Sequence, residues 1–192
     1  MQLSTSAPMA ARLKRGWLPK IGVVVLVLAV ATGAFALGRG GEHSTTARVL
    51  KGPSGDRFSI HYPSNWRPLS KDELALVGGS PLAALRRKDK SGFVIVRREK
   101  GRAGGDLQRF TSSLIKELKR KVPDFKARTA KVIKIRSGKA FFISYIRKKA
   151  STVHGLVLVP AGSKTYTLNT VSTGKAPVTA REIGRIILSF DA

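Results

Sequence analysis

Phe58-Ser59-Ile60-His61-Tyr62-Pro63-Ser64-Asn65-Trp66 is where the chain first declares a packed fold. Phe58, Ile60 and Tyr62 alternate with Ser59 and His61, the period-2 pattern of a strand with one buried face. Pro63 has no N–H to offer a ladder and stops the strand. Trp66 follows in a turn, as a packing anchor beside Pro63. The folded domain is therefore expected to begin at Arg57 and to run to Ala192.

Downstream, Ser70-Lys71-Asp72-Glu73 has capping-box spacing and opens a short helix through Val77. Leu82–Leu85 and Phe93–Val96 read as an antiparallel pair, with Arg86–Lys90 and Ser91-Gly92 as the turn. Residues 106–122 carry the clearest helical signal. Leu107, Phe110, Leu114, Leu118 and Val122 recur every three or four residues along one stripe. Asp106 suits the N-cap, Pro123 ends the run, and Lys119, Arg120 and Lys121 crowd the last turn, where the helix dipole favours cations.

Two longer strands follow, Ala130–Arg136 and Ala140–Lys148, joined at Ser137-Gly138. The adjacent Phe141 and Phe142 point to a strand buried on both faces. Val153–Val159 and Thr165–Val171 follow, with a turn at Pro160-Ala161-Gly162. Thr179-x-x-Glu182 repeats the capping-box spacing ahead of Ile183, Ile186, Ile187 and Phe190, a second amphipathic helix. This order of elements predicts an α+β domain: an antiparallel sheet sandwiched by helices, not a doubly wound parallel sheet.

Upstream, residues 38–56 are rich in Gly, Ser and Thr and read as a flexible linker. Before them, Ile21–Leu37 is 17 residues without a charge. As a helix it would be about 26 Å long, enough for a bilayer core. Four basic residues (Arg12, Lys14, Arg15, Lys20) precede it and Arg39 follows. The positive-inside rule places residues 1–20, a basic tail, in the cytoplasm and the domain outside. The run reads as a single transmembrane helix; cleavage after Ala36, at the small-x-small site Ala34-Phe35-Ala36, is the alternative and gives a secreted domain.

The 192 residues hold 36 Lys plus Arg against 11 Asp plus Glu, and no cysteine. Disulfides, thiolate metal sites and a cysteine nucleophile are excluded. Residues 48–192 contain 31 basic and 10 acidic residues, an excess of 21 positive charges. A field of that size suits an anionic partner.

No catalytic constellation emerges. His61 and His154 fall on strands that could bring them together across the sheet, but no third ligand accompanies them, and His43 lies in the linker. Asp72 and Glu73 are adjacent on a helix and point apart, unlike a paired acid and base. No nucleophile elbow is present. Gly101-Arg102-Ala103-Gly104-Gly105 lacks the Lys-Ser/Thr ending of a phosphate-binding loop. Phe141, Phe142 and Tyr145 lie near Lys139 and Arg147, but their spacing is that of a core strand rather than of a base-stacking platform. Neither a cofactor nor a metal is called for. What remains is the basic clusters. Lys116, Lys119 and Arg120 lie off the apolar stripe of their helix, and Arg86, Arg87 and Lys88 form a second group; both are candidate partner-binding residues. Arg97-Arg98 and Arg147-Lys148-Lys149 add to the charge.

Phe58-x-Ile-x-Tyr-Pro-x-x-Trp66 resembles the opening strand of PsbP-like domains. Gly138-x-Ala-Phe-x-Ile-Ser-Tyr145 is similar to that family's central hairpin, and Tyr166-x-Leu168 with Ile187-Leu-Ser-Phe190 to its last strand and closing helix. The resemblance spans residues 56–191. It implies an α/β/α sandwich and a binding or assembly role without shared catalytic residues. The chain departs from the photosystem subunit of that family in its high charge and its anchor-like run. The reading is thus a membrane-tethered extracytoplasmic PsbP-like module. Its expected partner is an anionic envelope component, either lipid head groups or wall polymer, or a membrane protein complex. An envelope hydrolase and an extracytoplasmic nucleic-acid binder are the alternatives.

Overall fold

A computed structural model describes residues 47–99, 107–122, 124–147, 151–173 and 177–192. The basic tail, the apolar run 21–37, His43, the loop 101–105, Asp106, Pro123, Lys148 and Lys149 lie outside the described residues, as do the side chains of Leu107 and Phe110. No helix among the described residues is long and apolar enough to cross a membrane.

The elements run β1 (Arg48–Lys51), β2 (Ser59–Tyr62), β3 (Trp66–Pro68), α1 (Lys71–Val77), β4 (Ala83–Arg87), β5 (Gly92–Glu99), α2 (Leu107–Lys121), β6 (Phe125–Ile135), β7 (Gly138–Arg147), β8 (Thr152–Ala161), β9 (Lys164–Thr173) and α3 (Pro177–Leu188). Seven strands form an antiparallel sheet in the order β3-β4-β5-β9-β8-β7-β6, and β1 pairs with β2 in a separate ribbon. The fold is α+β, as the pattern predicts.

Strand alternation sorts the core onto the two faces of the sheet. On one face, α3 and the β1–β2 ribbon cover Trp66, Leu85, Val94, Val96, Val157, Tyr166 and Leu168, with Phe58, Ile60, Ile183, Ile186 and Phe190 contributed from above. On the other, Leu114, Leu118 and Val122 of α2 and the residue after it pack on Phe141, Ile143, Tyr145, Leu156 and Leu158. A smaller cluster seats Val77 of α1 on Ala84 and Ile95. The central strands are therefore apolar on both sides. Each fully buried Leu, Ile or Phe contributes about 1.5–3 kcal/mol.

Several boundaries differ from the sequence reading, each for a tertiary reason. Residues 48–56 are not linker: Arg48–Lys51 pairs with β2, and Asp56 is buried. Trp66 is not in a turn but begins β3, paired with Arg87. Arg86 and Arg87 extend β4, so its turn is shorter than expected. β6 starts at Phe125, five residues early, because β7 is long enough to pair with it through a bulge at Ala127/Thr129. β8 continues through Ala161, and the turn is Gly162-Ser163, with Gly162 at φ +57. A positive φ at the first central position of a two-residue hairpin is the place for glycine. The helix expected to be capped by Thr179 starts earlier, at Pro177, where a missing N–H costs nothing. Thr179 lies inside it and is fully buried. The capping box at Ser70–Glu73 is formed as expected.

Candidate anion-binding interface

The acidic residues are few, and Asp56, Glu73, Asp89 and Glu182 each lie beside a cation. Asp56 lies between Arg98 Nη1 (3.1 Å), Lys164 Nζ (3.3 Å) and the Tyr166 hydroxyl (3.3 Å). Burial pushes its carboxyl up, but Lys164 and Arg98 outweigh burial and hold it below the ordinary range. A pocket of about 430 Å³ beside it is lined by Arg57, Lys164 and Tyr166. Glu73 receives Arg67 at 2.6 Å and Arg86 at 3.3 Å. Its pKa falls to about 2, chiefly through the hydrogen bond from Arg67 and then that from the Ser70 backbone. Arg87 is held by Glu182 (2.8 Å) and by Asp89.

The α2–β6 region is different. Residues 107–139 hold eleven Lys or Arg and only Glu117 and Asp124 as acids. Lys116, Lys119 and Arg120 are exposed on α2, as their position off the stripe predicts, while Lys121 pairs with Glu117 at 2.6 Å. Beside α2 runs β6, the edge strand, with Lys126, Arg128, Lys131 and Lys134 all exposed. Opposite partners in the register show how the charge is spread. Lys131 stands across from Phe142 and Lys134 from Lys139, on opposite faces of the sheet. Charge on an edge strand also discourages edge-to-edge pairing between copies. The result is a cationic ridge along one sheet margin.

The two basic groups singled out in the sequence are not brought together. β4 and β6 are five strand spacings apart, roughly 24 Å. Arg86 and Arg87 are engaged by Glu73 and Glu182, and Lys88 is exposed at the β4–β5 turn. Lys126 and Arg128 were outside the sequence reading because Ala127 and Thr129, which flank Arg128, leave no apolar alternation to mark a strand.

The other candidates are dispersed. His61 and His154 do not meet: His61 is on the ribbon, 3.1 Å from Arg136, and His154 stacks on Tyr145 in the main sheet, 2.7 Å from Thr152 Oγ1. Burial, with Arg147 nearby, lowers the His154 pKa to about 4. Among the described residues no three His, Asp or Glu side chains gather as a metal site. Trp66 has no exposed surface, and Phe141 and Tyr145 sit beneath α2. The Phe142 ring is half-buried above Gly155.

No family model and no curated protein matches the sequence. Solved structures do match the fold. Cyanobacterial PsbP from Synechocystis sp. PCC 6803 superposes with a TM-score of 0.52 at 15% identity, over 81% of this chain and 98% of that one. The Ran-binding protein Mog1p of Saccharomyces cerevisiae gives 0.51 at 9% identity, over 77% and 95%. LpqN of Mycobacterium tuberculosis, described as involved in cell envelope biogenesis, gives 0.51 at 13% identity, over 76% and 90%. All three have PsbP-like folds.

Proposed function

We propose that this PsbP-like domain is a non-catalytic binding or scaffolding module, tethered to a membrane by residues 21–37, that docks on an anionic envelope component through its α2–β6 ridge. The carrying observation is the unequal distribution of charge. Carboxylates neutralise Arg67 of β3, Arg86 and Arg87 of β4 and Arg98 of β5, whereas Lys116, Lys119 and Arg120 and the lysines of β6 share two acids. A concentrated cationic margin attracts extended anionic surfaces, and each Lys or Arg near an anionic membrane is worth about 1 kcal/mol. An envelope setting is in keeping with the described role of LpqN, which has the same fold.

The test uses residues 47–192 with vesicles of anionic or neutral lipid, with anionic wall polymer and with single-stranded nucleic acid. Binding to lipid or wall polymer should weaken as salt rises, since exposed charges are screened beyond about 8–10 Å. Changing Lys116, Lys119 and Arg120 to Glu should abolish it without lowering thermal stability. Undiminished binding by the folded triple variant refutes the ridge as the site. Preferential binding of nucleic acid refutes the envelope partner.

A further inference from the structure

Arg97, in β5, is the one arginine among the described residues that is more than nine-tenths buried, at 9% exposure. The chain sets a carboxylate within ion-pair distance of Arg67, Arg86, Arg87 and Arg98. It sets none there against Arg97 among the described residues. Among the described residues the guanidinium makes one hydrogen bond, from Nη2 to the Gly78 carbonyl at 3.2 Å, and its Nε is buried without a partner. Glu99, two positions on and on the same face, acts on it only at longer range. Its Oε1 instead accepts from Thr167 Oγ1 at 2.9 Å, across on β9.

An unpaired buried charge costs far more than an exposed one. The end of α1 offsets part of this, because Gly78 follows its last turn and that end carries partial negative charge. It leaves the Nε edge of the guanidinium unfilled. That edge is a planar donor fork, the geometry that carboxylates and phosphates fill with paired hydrogen bonds. Arg86 Nε is likewise buried without a partner, although Glu73 meets that guanidinium at Nη2, and so is the Nε of Arg147. Arg147 stands level with Thr173 on β9, six positions along from Thr167, the residue level with Arg97, and belongs to a different place on the sheet.

We propose that Arg97 is the anchoring group of a small-oxyanion site between the end of α1 and β9, taking a carboxylate or phosphate group on its Nε edge. The site is separate from the α2–β6 ridge. It lies on β5, four strands in from β6, and selects one oxyanion by geometry where the ridge collects many by charge.

The experiment uses the full chain in a neutral detergent, with sodium phosphate or sodium acetate titrated against sodium chloride at constant ionic strength. The melting temperature should rise and saturate with phosphate, acetate or both, and which anion works identifies the ligand group. Arg97→Met should abolish the rise, and Arg97→Lys should weaken binding by about tenfold or more, since it keeps the charge and loses the fork. Changing Lys116, Lys119 and Arg120 to Glu should leave the rise intact. Should Arg97→Met not fold, the Arg97 Nε–H resonance of the wild-type chain must move saturably with the anion. A rise that persists in Arg97→Met, or a wild-type chain whose melting temperature and Nε–H signal ignore both anions, overturns the proposal.

Discussion

The indole Nε1 of Trp66 donates a 2.9 Å hydrogen bond to Oε2 of Glu182, joining β3 to α3 across 116 positions of sequence. Asn65 Nδ2 and Arg87 Nε, each at 2.8 Å, complete the arrangement. One carboxylate on the closing helix thereby fixes the first edge of the main sheet beneath it. Burial pushes the Glu182 carboxyl up, but the three donors together hold it below the ordinary range.

Glu182→Ala should destabilise the domain by about 2–4 kcal/mol, because it leaves the Arg87 Nε–H and the Trp66 N–H without their acceptor. Urea melts followed by tryptophan fluorescence measure this. The folded-state pKa is depressed, so the stabilisation is full at neutral pH and is lost as pH falls through the carboxylate range. The variant should therefore show a shallower acid transition than wild type.

Phe58→Ala and Leu114→Ala should each cost about 2–5 kcal/mol. Phe58 stacks on Phe190 (ring centroids 5.5 Å apart) and meets Tyr166 edge-on, while Leu114 packs on the other face of the sheet. Because the sheet separates them, the double variant should lose close to the sum. A loss below about 0.5 kcal/mol for either would place it at the surface.

Stability should decline as pH drops from 7 toward 4.5 because of His154. Its pKa is about 4 in the fold and near 6.5 when unfolded, so the unfolded chain binds the extra proton throughout that interval. Between pH 7 and 4.5 the loss is about 2–3 kcal/mol. His154→Phe should flatten the profile between pH 6.5 and 4.5, and an unchanged slope in thermal melts would show that the ring is solvated.

Gly155→Ala tests close packing in β8. A methyl group there would come within 2.4 Å of Thr170 Oγ1 and 3.3 Å of the Phe142 ring. Overpacking of this kind costs about 1–3 kcal/mol. Adding Thr170→Ala removes the nearer obstacle and should restore part of the loss; strict additivity in the double-mutant cycle would contradict the contact.

The sequence by itself determined most of the long strands and all three helices, and which of their faces are apolar. Period-2 alternation marks Phe58, Ile60 and Tyr62, and the three-to-four spacing marks Leu114, Leu118 and Val122, because burial selects side chains by the repeat of the local backbone. The same logic left Lys116, Lys119 and Arg120 outward. It also favoured an antiparallel α+β sheet and carried the resemblance to PsbP-like domains. Tertiary structure alone decided what depends on partners distant in the chain. β1 exists because β2 pairs with it, and the early start of β6 because β7 is long. Glu182, placed by its spacing as a capping residue, became an acceptor for Trp66 and Arg87 once α3 docked. Arg86 and Arg97 look alike in sequence, as basic residues on strands. Only the fold sets Glu73 beside the first and leaves the second buried without a carboxylate among the described residues, since ion pairing depends on separation in space and not along the chain.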